Sequence, residues 1–154
     1  MKGYPTLSRE LGTAEGDFDA MFTSKDHAIR ERVRRIGQTY GADPTIQRFV
    51  LEMIVARAVV WQAWKQSLSP DARVIVDSVR MPHHGPLVVS SWYAGGTTRR
   101  GQFENALSSF EYHVNRLLTE IAEVHGQDPP IRNLIGRLTD DLYSVRIAWD
   151  ATSV

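Results

Sequence analysis

Apolar side chains return every third or fourth residue over most of this chain, the period of helices with one buried face. Ile29, Val33, Ile36 and Tyr40 follow a 4, 3, 4 spacing, which predicts a helix that begins after Ser24 and stops at Gly41. Asp43-Pro44 places a capping residue before a proline at the first helical position. The helix it opens has no breaker before Leu68, so it is roughly 37 Å long. Its centre is apolar nearly all round, the pattern of a hub buried between several neighbours. Ser69-Pro70 repeats the cap-proline pair and predicts a short helix through Val79. Phe103, Leu107, Phe110, Val114, Leu117, Ile121 and Val124 then space as 4, 3, 4, 3, 4, 3 up to Gly126. After Asp128-Pro129-Pro130, Ile131, Ile135, Leu138, Leu142, Val145 and Trp149 carry a last helix.

Two stretches lack this period. Residues 1–24, with Gly3, Pro5, Gly12 and Gly16, read as an irregular N-terminal arm with a turn of helix near Phe18 to Phe22. Residues 25–154 then form a single helical domain. Leu87-Val88-Val89 and Trp92-Tyr93 favour β structure and Gly95-Gly96 a turn, so a short β-hairpin or extended loop is expected at about 84 to 100. The fold class is all-α: a helical bundle with a long central helix and that small extended element. Heptad seams serve either one intramolecular core or a subunit contact. Two seams are more than one hub helix has to cover, so the seam from Phe103 to Val124 is expected at a homo-oligomer interface.

Composition narrows the classes. The chain has 154 residues, no cysteine, and 18 basic against 18 acidic side chains. Disulfide scaffolds, thiol nucleophiles and thiolate metal sites are excluded. The most apolar stretch, Phe49 to Trp64, carries Glu52, Arg57 and Gln62 and is too short and charged to span a bilayer. No basic segment followed by an apolar run opens the chain, and a soluble, cytoplasmic protein without membrane contact is expected. The neutral total hides an asymmetry: residues 25–101 hold 12 basic and 6 acidic residues, and the flanks hold the reverse. Opposed electrostatic faces, or head-to-tail attraction between subunits, follow from such a split.

Candidate chemistry is sparse. The sequence has no HExxH, no G-x-S-x-G and no phosphate-binding G-x-x-x-x-G-K-[ST], so no catalytic residue, metal site or cofactor is expected. His83-His84 sits between Pro82 and Pro86 in a loop, and Asp140-Asp141 reads as a solvated face. The arginines are more informative. Arg30, Arg32, Arg34 and Arg35 crowd one helix, Lys25 and Arg48 flank it, and Arg99-Arg100 follow the glycine turn. Guanidinium forks suit phosphate oxygens, which makes Lys25, Arg30, Arg34, Arg35, Arg99 and Arg100 the candidate DNA contacts. The competing role is ion pairing with the acidic flanks.

From residue 45 to 135 the order of short motifs resembles the small terminase subunit of tailed bacteriophages, in the family encoded beside an HNH endonuclease and the large terminase. Gly85-Pro86-Leu87-Val88-Val89 stands for its "G-x-V-V" segment, and Asn105-Ala106-Leu107 for Asn-Pro-apolar. Leu117-Leu118-Thr119-Glu120-Ile121 falls in its amphipathic run. Gly126 through Arg132 keeps the Gly, Pro and Arg of its closing motif, while Ala106 and Gln127 depart from the pattern. The resemblance implies a non-catalytic, homo-oligomeric subunit that binds double-stranded viral DNA and regulates the large terminase, with the HNH endonuclease as a further partner, in the host cytoplasm. Two rivals stand beside it: a helical adaptor that binds a partner protein without DNA, and a bundle enzyme with a site inside the core.

Overall fold

The computed structural model describes residues 13–67, 78–81, 85–88 and 98–153. Four helices carry the fold: α1 (Thr13–Thr39), α2 (Pro44–Ser67), α3 (Arg99–His125) and α4 (Pro129–Asp150), followed by a 3-10 turn at Ala151–Ser153. They form an all-α bundle in which α1 packs on α2 and α4, and α3 packs on the same two. The connections 40–43 and 126–128 are short, which makes each joined pair antiparallel. Phe18 meets Trp149, and Trp64 meets Phe103, so α1–α4 and α2–α3 are antiparallel too. Between α2 and α3, Ser78–Met81 pairs with Gly85–Val88 as antiparallel strands, with Ser78 opposite Val88 and Met81 opposite Gly85. The turn expected at Gly95-Gly96 lies outside the described residues. So does the helix expected from Ser69, except at its end, where Ser78 and Val79 belong to the first strand.

The helix boundaries follow local chemistry. Asp43 caps α2, its Oδ1 accepting the Ile46 N–H at 3.0 Å. Thr98 caps α3 by accepting from the Gly101 N–H at 2.9 Å. At Gly126 the backbone stays right-handed (φ −61°), and a Cβ there would collide with the Ala122 carbonyl oxygen. Close approach, rather than a left-handed cap, is what glycine supplies.

Helix α1 starts at Thr13, well before the Lys25 boundary of the expected arm. Phe18 and Phe22 share a face one turn apart and pack into an aromatic cluster with Trp64, Phe103 and Trp149, at centroid distances of 4.8–5.8 Å about Phe18. That burial outweighs the helix-weakening effect of Gly16. Helix α2 is no central hub: it occupies one corner, and Leu51 and Ile54 are each 51% exposed. The core is shared by all four helices.

Six residues of the α3 seam, Phe103, Leu107, Phe110, Val114, Leu117 and Ile121, are at most 2% exposed within the single chain. Their surface is already used against α2 and α4, so no second subunit can reach it. Only Val124, 60% exposed, remains outside. The assignment of this seam to a subunit interface is therefore corrected: it is core. Leu117→Ala should cost about 2–5 kcal/mol in urea unfolding, as cavity creation in a packed core does. A cost below about 1 kcal/mol would mean that Leu117 is not packed as described.

Candidate functional site

The charged residues of α1 are spread around its axis by the 100° turn per residue, and their fates differ accordingly. Lys25 and Arg32, seven residues apart, both face α4 and converge on Asp141. Arg32 donates through Nε to Oδ2 at 2.8 Å, and Lys25 Nζ lies 3.5 Å from Oδ1. Asp141 is 2% exposed, so the expectation of a solvated face holds for Asp140 but not for its neighbour. Asp26 faces α2, where Arg57 donates to both its oxygens at 2.9 and 3.0 Å.

The other expected DNA contacts are equally divided. Arg34 donates to Glu31 at 2.7 Å in an exposed pair that solvent screens and that is easily exchanged. Arg30 and Arg35 are exposed, and among the described residues no hydrogen bond or salt bridge holds either guanidinium, although Arg35 lies in the field of Glu31. Arg100 is built into the aromatic end: its guanidinium stacks 4.0 Å from the Trp149 centroid, bonds Thr152, and lies 3.4 Å from Glu15. It is a packing residue, and its place in the DNA set is corrected. The Arg99 side chain lies outside the described residues.

Antiparallel packing of α1 on α4 creates a feature that the separate helices do not show. A groove of about 420 Å³ between them is lined by Arg32, Arg35 and Arg137, with Thr39 and Asn133. Among the described residues no acidic side chain lines it. Arg32 is held in place by Asp141, while Arg137 leans on Asn133 Oδ1 at 3.4 Å. Sequence reasoning missed Arg137. The only signal was its position one turn after Asn133, and the helix that it would face was not readable.

At the same end of the bundle the two short connections are tied together. His125 places Nε2 2.8 Å from Asp43 Oδ2 and Nδ1 3.1 Å from Asp128 Oδ2, and Tyr40 Oη donates to Asp128 at 3.0 Å. Carboxylates only accept, so the imidazolium form satisfies both bonds. Gln47 adds two bonds, to the Gly37 and Tyr40 carbonyls. With both ring nitrogens occupied, His125 has none left for a substrate, and the cluster acts as a clasp. The Ile46 N–H, helped by His125, holds the Asp43 carboxyl below the ordinary range, and burial with Asp128 pushes the Tyr40 phenol up. Among the described residues no group of three or more His, Asp and Glu is placed to hold a metal ion, and no helix is long and apolar enough to cross a membrane.

The lowered Asp43 pKa gives a signed expectation. Its contribution to stability is present above the unfolded carboxylate value and is lost as pH falls through the folded one. Thermal melts from pH 7 downward should show the wild type losing stability below about pH 4, and Asp43→Asn should flatten that limb. An unchanged limb would show that the clasp does not titrate in this range. Compared with known proteins, the chain matches no family model, no curated protein and no solved structure.

Proposed function

We propose that this chain is a non-catalytic helical module that holds a polyanion, with duplex DNA as the ligand, against the groove between α1 and α4. The observation that carries the reading is the convergence of Arg32, Arg35 and Arg137 on one groove free of acidic lining. Guanidinium groups meet phosphate oxygens in bidentate fashion, and Asp141, which takes Nε and Nη2 of Arg32 at 2.8 and 3.4 Å, fixes that side chain at the groove. Exposed Arg30 extends the positive surface around α1. Neutralising phosphates releases condensed counterions, so a module of zero net charge can still bind if its cations are gathered.

The biological setting comes from the resemblance rather than from the groove. A small terminase recognises viral DNA and regulates the large terminase, with an HNH endonuclease nearby and the host cytoplasm as its place of action. Arg100, at the start of α3, is assigned no part in DNA contact, because it is committed to Trp149. The adaptor reading keeps one observation in its favour, the outward apolar face of α2.

Arg35→Ala combined with Arg137→Ala tests the proposal without touching a buried pair. Duplex binding across a salt series should weaken, and the slope of log K against log salt should fall by about 0.9 for each phosphate that is no longer neutralised. Wild-type affinity and slope in a variant of unchanged melting would overturn the groove as the DNA surface.

A further inference from the structure

Helix α2 carries apolar residues on every side, and among the described residues α1 and α3 are the elements that pack most extensively on it. Leu51, Ile54 and Ala58 form an outward ridge with 3, 4 spacing. Beside the ridge lies a second groove, about 440 Å³, between α1 and α2, with Ile29, Val33, Val50 and Met53 among its lining and Arg30 and Arg34 on its edge. Arg34 is matched there by Glu31 and Arg57 by Asp26, so Arg30 leaves the apolar groove with a net cationic rim. On α4, at the opposite corner of the bundle, Gly136, Asp140, Tyr143, Ile147 and Asp150 share one outward stripe with 4, 3, 4, 3 spacing. Tyr143 and Ile147 are 66% and 51% exposed, and exposed carboxylates flank them. Gly136 faces open space where a Cβ would stand. Among the described residues nothing calls for a glycine there, although glycine weakens a helix interior.

We propose that the α4 stripe of one copy docks into the α1–α2 groove of the next, a head-to-tail contact between copies of this chain. Charge selects this occupant. Pairing two α2 faces about a two-fold axis sets arginine rim against arginine rim, and pairing two α4 faces sets carboxylate against carboxylate. Groove against stripe instead brings Asp140 and Asp150 to Arg30 and Arg34, with Tyr143 and Ile147 over Leu51 and Ile54. Gly136 then gives the incoming backbone room to approach. Because α2 and α4 occupy diagonal corners, the two surfaces face apart, and each bound copy still offers one groove and one stripe. Neither Arg35 nor Arg137 takes part, so the α1–α4 groove proposed for DNA stays open, and Arg30 alone belongs to both surfaces.

Two surface variants separate this contact from every symmetric one. Ile54→Asp damages the groove side and Ile147→Asp the stripe side, and both positions are half-exposed, so melting should stay near wild type. By light scattering at about tens of micromolar, wild type should exceed the monomer mass and each variant alone should be monomeric. An equimolar mixture should form a 1:1 heterodimer, because each variant keeps one intact surface. Wild type at the monomer mass of 17.4 kDa would overturn the proposal. So would an Ile147→Asp protein that still self-associates, or a mixture that stays monomeric. A second mixture, Arg30→Glu with Asp140→Arg, should associate more weakly than wild type in either single form and recover on mixing. Failure to recover would overturn the assigned charge contact.

Discussion

Carboxylates removed from water, each answered from a neighbouring helix, dictate how this bundle is put together. Asp19, Asp26, Glu52 and Asp141 are all at most 7% exposed. Asp19 accepts the Trp64 indole N–H at 2.7 Å, Asp26 takes both oxygens to Arg57, and Asp141 gathers Arg32 and Lys25. Glu52 faces His113 across α2 and α3 at 3.7 Å. The fourth interface, α3–α4, has Arg146 reaching Glu111 and Glu104 at 2.7 and 3.1 Å, which raises the guanidinium pKa further. Every adjacent pair of helices thus carries a polar or ionic link. Such links add little net stability over apolar packing, but breaking one leaves a buried charge at a heavy cost. Alternative helix orders and registers would break several at once.

The same pairing explains how a neutral chain acquires polarity. On α1, Lys25 and Arg32 share a single carboxylate, leaving positive charge in excess beside the α4 groove. At α3–α4, one arginine faces Glu104, Glu111 and Asp150, leaving negative charge in excess. The cationic side and the acidic side are therefore set by the stoichiometry of ion pairs rather than by the composition. The two ends of the bundle differ as well: aromatic rings close one, and the His125 clasp closes the other. Rigid ends leave the lateral grooves as the surfaces available for binding.

Much of this was legible in the chain. The cap-proline pair at Asp43, the proline pair after Asp128, the stop at Gly126 and the apolar periods of α3 and α4 depend on near neighbours, and the structure places these elements there. The start of α1 was not legible, because Phe18 and Phe22 are helical on account of Trp64, Phe103 and Trp149, which come from three other helices. The corner position of α2 was hidden for a related reason: an all-round apolar helix does not show which side faces solvent. The arginines were found as residues but not as a site. Arg32 and its partner Asp141 are 109 positions apart, and Arg137 joins them only through the α1–α4 packing.

The claim that cross-helix charge pairs govern the arrangement is tested most directly by a double-mutant cycle at Asp26 and Arg57. Arg57→Met alone should cost about 2–4 kcal/mol, somewhat less than a fully buried pair because Arg57 is 20% exposed. Adding Asp26→Leu should restore most of the loss, since the two apolar residues pack where the charges stood. Single costs below about 0.5 kcal/mol, or costs that simply add in the double variant, would contradict it.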